Sequence, residues 1–419
     1  MSIWFPGATR IAGTDGSISF LLALYCAVVG VAFYGELTRR LHRTEAAFAI
    51  AVLTTSGAII ILSLLSMLHA DSPLRTMRAV FAQVFGFAMI PAVLAISMRP
   101  KGSEAVERIV SAVIIMSVAT SCLVIAGMGD AKFADRAEGY FKHANQLGIA
   151  LSAGLPLVAA RLIVSRKYRL VLWGCLAAVL LGLVKSGSKT NFVVGIAGLG
   201  IFFGLYGIYL TIRRQRPLAI IAGTITAPVL LGASLLTLQF LNPRAYRLLT
   251  VQLTGGEAHS MVSRERLWSI SMDLGLLHPF TGVGAGQPVG DIAPHSHNLL
   301  IEYFRTMGVP GLALIVVLVV LVATYLLSAI LHTLSAKGAS EQATKTDVMV
   351  LGTSISALNY IVANQMSDSF GPSTAPFFWL PLALLMFYRG LQRSVKSSRS
   401  ANAQTLFTAP SPYFRTLRS

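Results

Sequence analysis

The stretch GVPGLALIVVLVVLVATYLLSAILH, residues 308–332, contains no Asp, Glu, Lys or Arg. A helix of about 20 apolar residues crosses a hydrocarbon core about 30 Å thick, and only helices and closed barrels satisfy their own backbone there. Stretches of the same kind recur near 17–35, 46–68, 78–98, 108–128, 146–165, 168–185, 190–212, 217–240, 346–365 and 374–391. The chain therefore reads as an all-α polytopic membrane protein with eleven transmembrane helices, or twelve if an N-terminal half-segment adds one. Composition agrees: the 419 residues are 54% hydrophobic and only 12% charged, with mean hydropathy +0.68, whereas soluble domains carry about 25% charged residues.

Basic residues in the gaps between spans alternate, and because Lys and Arg resist translocation this alternation predicts orientation. Arg39, Arg40 and Arg43 fill the first gap, and Arg99, Lys101 and Arg108 the third. Arg161, Arg166, Lys167 and Arg169 fill the fifth, and Arg213, Arg214 and Arg216 the seventh. These gaps are expected in the cytoplasm, together with a tail bearing Arg389, Arg393, Lys396 and Arg399. The long segment 241–297 then falls outside. Residues 1–392 read as one transmembrane domain and 393–419 as a disordered, Ser- and Arg-rich cytoplasmic tail.

The net charge of +17 comes mostly from these gaps and the tail. The basic clusters lack interleaved stacking aromatics, which argues against a nucleic-acid partner. Cys26, Cys122 and Cys175 all lie in apolar spans and read as packing residues, not as a disulfide or metal set. The N-terminus, with Pro6, Arg10 and Asp15, does not resemble a cleavable signal, so the first span is expected to act as its own insertion signal.

Leading into the 308–332 run lies a polar block, SRERLWSISMDLGLLHPFTGVGAGQPVGDIAPHSHNLLIEYFRTMGVPG, residues 263–311. It is the part of the chain able to meet a water-soluble reactant. Upstream of it, Asn242-Pro243 breaks a helix, an amphipathic stretch follows, and Gly255-Gly256 reads as a turn. Leu267, Ile270 and Leu274 stand at helical spacing, with Ser263 as the expected N-cap. Short amphipathic helices along the membrane surface are the expected form. HPFTGVGAGQPVG is a forced irregular turn that brings backbone amides within reach of a ligand. His297-Asn298 opens the next helix, which enters the membrane through Gly308 and Gly311.

The block resembles the O-antigen ligase and polymerase superfamily. The likeness rests on Arg264 and Trp268, His278-Pro279 with Gly282 and Gly284, His297-Asn298, and Gly308 with Gly311. Two upstream elements add to it: GYFKHANQLG at 139–148 and KSGSKTN at 185–191, which is similar to a Ser-x-Ser-Arg/Lys turn. An acidic residue expected shortly before Gly308 is absent, and Arg305-Thr306 stand there instead. The resemblance implies an enzyme of the bacterial inner membrane with its active site facing the periplasm and no cofactor. Such an enzyme transfers an undecaprenyl-diphosphate-linked glycan to a sugar hydroxyl on a second lipid-linked glycan or on lipid A-core. Membrane lipids and other polysaccharide assembly or export proteins would be its surroundings. KSGSKTN and GYFKHANQLG look nearer the exopolysaccharide or O-antigen polymerase branch, with the ligase as alternative.

That reaction needs a base for the acceptor hydroxyl and cations for the departing diphosphate. A neutral imidazole, with an ordinary pKa of about 6.5, can accept such a proton. On the residues alone His297 reads equally as base or as helix-capping histidine, and the resemblance favours the base. If the segment is helical, His295 and His297 point to opposite faces and only one meets the substrate. Asp291, Glu257, Glu265 and Glu302 are alternative bases, although Glu302 reads better as an orienting or ion-pair partner of Arg305. A metal site at the two histidines lacks further ligands at suitable spacing.

Arg264 is the leading ligand for diphosphate and, with His297, a catalytic candidate, because Arg stays charged and grips two phosphate oxygens at once. Lys189, Arg266 and Arg136 are further cations for the diphosphate. His295, Asn298, His143, Asn145, Glu302 and Arg305 are candidate sugar or acceptor contacts, with helix capping as the other reading of His143 and Asn145. The inverting, metal-independent transfer competes with a transporter, which would place ionisable residues near span midplanes and show internal pseudo-symmetry. Neither is evident.

Overall fold

Within the described residues each apolar run becomes a helix. The computed structural model describes residues 43–97, 102–128, 137, 141, 143–214, 216, 218–253, 259–335, 341–365 and 376–408. Among these, the helices are α1 (Arg43–Leu65), α2 (Pro73–Ser97), α3 (Gly102–Ile125), α4 (Ala144–Val164), α5 (Arg169–Lys185), α6 (Lys189–Arg214), α7 (Leu218–Leu241), α8 (Pro243–Leu253), α9 (His259–Leu277), α10 (Leu299–Ser335), α11 (Glu341–Asn364) and α12 (Pro376–Thr408). Helices occupy every expected stretch from 46–68 onward, while the span expected at 17–35 lies outside the described residues. Seven helices among the described residues, α1, α3, α4, α6, α7, α10 and α11, are long and apolar enough to cross a membrane. Among the described residues the fold is all-helical, apart from one isolated bridge between Val289 and Ala293.

The centre of the bundle is the antiparallel pair α4 and α11, whose apolar windows are 83% and 89% buried against 12% for the peripheral α7. Pro156 inside α4 has no N–H to give the Ser152 carbonyl, and that orphan is satisfied from outside: Asn359 Nδ2 of α11 donates to it at 2.9 Å. One turn earlier, Ser356 Oγ donates to the Ala153 carbonyl at 2.6 Å. Gly198 of α6 leaves the room that the Asn359 side chain occupies. A proline that weakens one helix thereby fixes the register of its partner, through polar contacts that pack small residues closely in an apolar surrounding.

Because α4 and α11 run antiparallel, Gln365 at the end of α11 lies at the same end of the bundle as His143 and Asn145 at the start of α4. Asn298 Nδ2 donates to the Gln365 carbonyl at 3.0 Å, which ties the start of α10 to that end too.

The other end carries buried ion pairs. Arg213 meets Asp347 at 3.0 Å, with both side chains 5% exposed, and Tyr209 and Gln392 also donate to that carboxylate, at 3.0 and 2.6 Å. Glu45, wholly buried, pairs with Arg389 at 3.6 Å and with Arg393. Arg389 stacks over the Tyr325 ring at 4.6 Å. Arginines counted above as cytoplasm-facing are therefore partly consumed inside the bundle, as charges near a membrane must be paired. α12 continues through residue 393 to Thr408, so a helix extends past the boundary at which a disordered tail is expected from sequence.

Candidate functional site

Between α7 and α10 lie α8, α9 and an irregular chain from His278 to Asn298. Asn242-Pro243 breaks the chain between α7 and α8 as the sequence suggests, and Asn242 also caps α8: its Oδ1 accepts the Ala245 N–H at 3.0 Å, and Pro243 occupies the first helical position. The next helix begins at His259, so Ser263 sits inside its first turns and is not the cap expected from sequence. The residues before it, 254–258, lie outside the described set, and Glu257 with them.

α10 does not run unbroken. At Gly308 the backbone takes φ 66°, ψ −162°, and Pro310 two residues later has no N–H. The Thr306 carbonyl, which Pro310 cannot serve, accepts the Gly284 N–H at 3.0 Å instead. The Arg305 carbonyl accepts the Val283 N–H at 2.9 Å, because the Val309 N–H has turned to the Pro279 carbonyl at 2.7 Å. The HPFTGVG turn is thus stitched into the break in the helix. Gly282, at φ 66°, lies so close to the Thr306–Met307 peptide that a Cβ would strike main chain. The loop is held from the other side by the α1–α2 turn. Ser66 Oγ accepts the Ala285 N–H at 3.0 Å, Gln287 Nε2 donates to the Ser72 carbonyl at 2.9 Å, and His69 Nε2 lies 3.1 Å from the Thr281 carbonyl.

Inside this loop Arg305 is completely buried. Its Nε donates to Ser296 Oγ at 3.1 Å, Nη1 to the Pro288 carbonyl at 3.0 Å, and Nη2 to the Gln287 carbonyl and Glu302 Oε1, both at 2.8 Å. The Glu302–Arg305 pairing at i, i+3 is as the sequence suggests. Its use is internal, however: the guanidinium is spent on the loop and does not face the surface as a sugar or diphosphate contact would. The other Glu302 oxygen, Oε2, accepts the Ser296 N–H at 2.8 Å and the Ser296 hydroxyl at 2.7 Å. Ser296, between the two histidines and fully buried, was not evident from sequence; the only signal was a serine preceding a helix whose first turns carry Glu and Arg.

The two histidines correct an expectation. Residues 295–298 precede α10 and are not helical, and His297 sits in the left-handed region at φ 52°. Instead of pointing apart, the rings of His295 and His297 meet edge to face with centroids 4.3 Å apart. Both are half-buried. Asn298 is the cap: its Oδ1 accepts the Ile301 N–H at 3.1 Å and its carbonyl the Glu302 N–H at 2.9 Å.

On α9, Arg264, Leu267, Trp268, Ser271 and Gly275 fall on one face. Leu267, Ser271 and Gly275 are buried and Arg264 and Trp268 half-buried, whereas Glu265 and Arg266 are exposed. That face meets α10, where a Cβ on Gly275 would stand 2.5 Å from the Phe304 ring. The four-residue spacing of Arg264 and Trp268 therefore sets both on the inward side, and Arg266 outward. The indole Nε1 of Trp268 and the hydroxyl of Ser271 are enclosed without a hydrogen-bond partner. Asp291 is exposed, away from the buried hub.

The two upstream motifs converge. Ser188 Oγ donates to Asn145 Oδ1 at 3.1 Å, while Asn191 Nδ2 donates to the Asn145 carbonyl at 3.0 Å and to Ser188 Oγ at 2.8 Å. A Cβ on Gly148 would meet the Asn191 amide at 2.8 Å, so the glycine permits the contact. Lys189 is the first residue of α6 and is half-buried. His143 holds the N-cap position of α4 without a side-chain capping hydrogen bond. Arg136 lies outside the described residues.

A family model described as O-antigen ligase matches residues 173–316, a range that runs from α5 to the first half of α10 and includes Lys189, Arg264, the glycine turn, both histidines and the Glu302–Arg305 pair. The match supports the O-antigen ligase and polymerase superfamily. No curated protein matches the chain.

Proposed function

We propose, from the match of residues 173–316 to the O-antigen ligase family model, that the protein transfers a glycan from undecaprenyl diphosphate to a sugar hydroxyl, with inversion and without a metal ion. The observation that supports this reading is that the matched range contains a histidine pair next to a buried ion-pair hub, and an Arg264 on the inward face of α9. In the transfer, the acceptor oxygen attacks the anomeric carbon, and the bond from that carbon to the diphosphate oxygen breaks. The hydroxyl proton passes to His297, and lipid diphosphate leaves with its charge opposed by Arg264 and Lys189, assisted by Arg266 and Arg136. His143, Asn145, His295 and Asn298 are contacts for sugar or acceptor, His295 also as the neighbour of the base.

The site end faces the periplasm and the C-terminus the cytoplasm in this reading, supported by Arg161, Arg213, Arg389 and Arg393 lying at the other end. We assign the acceptor as a second lipid-linked glycan, making the enzyme a polymerase of exopolysaccharide or O-antigen. This rests on KSGSKTN and GYFKHANQLG, whose Asn145, Ser188 and Asn191 form one knot. The ligase reading, with lipid A-core as acceptor, is favoured by the description of the matched family.

Purified protein in detergent, given synthetic undecaprenyl-diphosphate oligosaccharide and EDTA, tests both. A ladder of products with the donor lipid alone supports the polymerase. A single block transferred to lipid A-core supports the ligase, and absence of lipid-diphosphate release with either acceptor refutes transfer.

A further inference from the structure

The His297 backbone is strained. A non-glycine residue in the left-handed region is disfavoured by the clash of its Cβ with the backbone carbonyl and persists only where its surroundings over-determine it. Here the surroundings are identifiable. The preceding residue, Ser296, is fixed at two points: its N–H and its hydroxyl both donate to Glu302 Oε2, at 2.8 and 2.7 Å, and the same hydroxyl accepts from Arg305 Nε at 3.1 Å. On the following side, Asn298 is fixed as the cap of α10 and through its amide to Gln365. His297 is the single residue joining these two anchors, so its φ is imposed and its ring is brought against His295 at 4.3 Å.

We propose that Ser296, clamped by Glu302 and Arg305, is a positioning residue that sets the His297 turn and so makes His295 and His297 work as a pair. When the acceptor O–H bond breaks and an N–H bond forms on His297, the positive charge falls on an imidazole in contact with a second one. Arg305 does not touch substrate. It neutralises Glu302 and anchors the loop through the Gln287 and Pro288 carbonyls, so the hub stays intact whether or not the histidines carry a proton. This extends the transfer reading above and rests on it for the identity of the proton donor, but the geometry can be tested separately.

The experiment uses the full chain in lipid nanodiscs with ring-15N histidine. The His295 and His297 signals are assigned by His295→Gln and His297→Asn. Ser296→Ala removes the hydroxyl that links Glu302 to Arg305. It is expected to shift both ring signals and the pH dependence of kcat, and to lower kcat about 10- to 100-fold with KM little changed, as for a misplaced catalytic group. Ser296→Thr, which keeps the hydroxyl, is expected to restore the ring signals and most of kcat. If Ser296→Ala does not fold, Glu302→Asp, which withdraws the carboxylate while keeping its charge, is read in the same way. Wild-type ring signals and pH profile in the folded variant overturn the proposal. A loss confined to KM also overturns it. If the wild-type protein releases no lipid diphosphate while Ser296→Ala still moves both ring signals, the transfer reading fails and the positioning role stands.

Discussion

Replacing Gly308 by alanine probes whether the broken helix and the glycine turn form one unit. Gly308 holds φ 66°, ψ −162°, a conformation that essentially only glycine adopts, and an alanine forced into it costs about 1–3 kcal/mol. The added Cβ would also lie 2.5 Å from the Pro279 carbonyl oxygen and 2.8 Å from the Phe280 carbonyl carbon. Both are main-chain atoms, so no side chain can rotate aside, and the turn must move. Moving it breaks the bonds from Val309 to Pro279, Val283 to Arg305 and Gly284 to Thr306, which at about 1 kcal/mol each contribute about 3 kcal/mol. The expected destabilisation is about 4–6 kcal/mol, read as a lower unfolding temperature in detergent and as faster hydrogen exchange at the Val283 and Gly284 amides. Gly57→Ala is the control: it lies within α1 with nothing within 4 Å of an added Cβ, and alanine there should leave the temperature unchanged or raise it. Matching unfolding temperatures for the two variants, with the Val283 and Gly284 amides still protected, would refute the stitched-turn reasoning.

Three further outcomes are expected. Asn tolerates the left-handed region, so His297→Asn should keep the backbone and unfolding temperature while lowering transfer by about 100- to 10,000-fold; wild-type turnover by this variant or by His297→Ala removes the assignment of the base. Arg264→Ala should lower lipid-diphosphate release strongly and Arg266→Ala little, because only Arg264 lies on the inward face of α9; equal losses would contradict that division. Asp347→Asn strips the carboxylate from an Arg213 side chain that is 5% exposed, which should cost about 3–5 kcal/mol, and an unchanged unfolding temperature would show that the pair does not hold that end of the bundle together.

Several parts of the site were legible because their causes are local. Asn242-Pro243 marks a helix break through its own proline ring, His297-Asn298 marks where the next helix opens, and the four-residue spacing of Arg264 and Trp268 puts them on one helical face. The i, i+3 relation of Glu302 and Arg305 likewise announces their pairing. His295 and His297 show the limit of such reasoning: a helical periodicity sets them on opposite faces, but the anchors at Ser296 and Asn298 impose a left-handed turn that brings their rings together. Ser296 itself gave almost no signal, since its partners are a carboxylate and a guanidinium on the following helix.

The apolar stretch at 308–332 and its counterparts determined by themselves that the chain is a helical membrane protein, because burial in hydrocarbon and backbone self-satisfaction are properties of a single segment. Pro310 likewise fixed in advance that the Thr306 carbonyl would lack its helical donor. Only the tertiary structure decided that Gly284 supplies the missing N–H, that Asn359 serves the Ser152 carbonyl left open by Pro156, and that Arg213 and Arg389 meet Asp347 and Glu45. The physical reason is the same in each case. A buried polar group must find a partner, but nothing in its own neighbourhood of sequence says which distant segment will provide it.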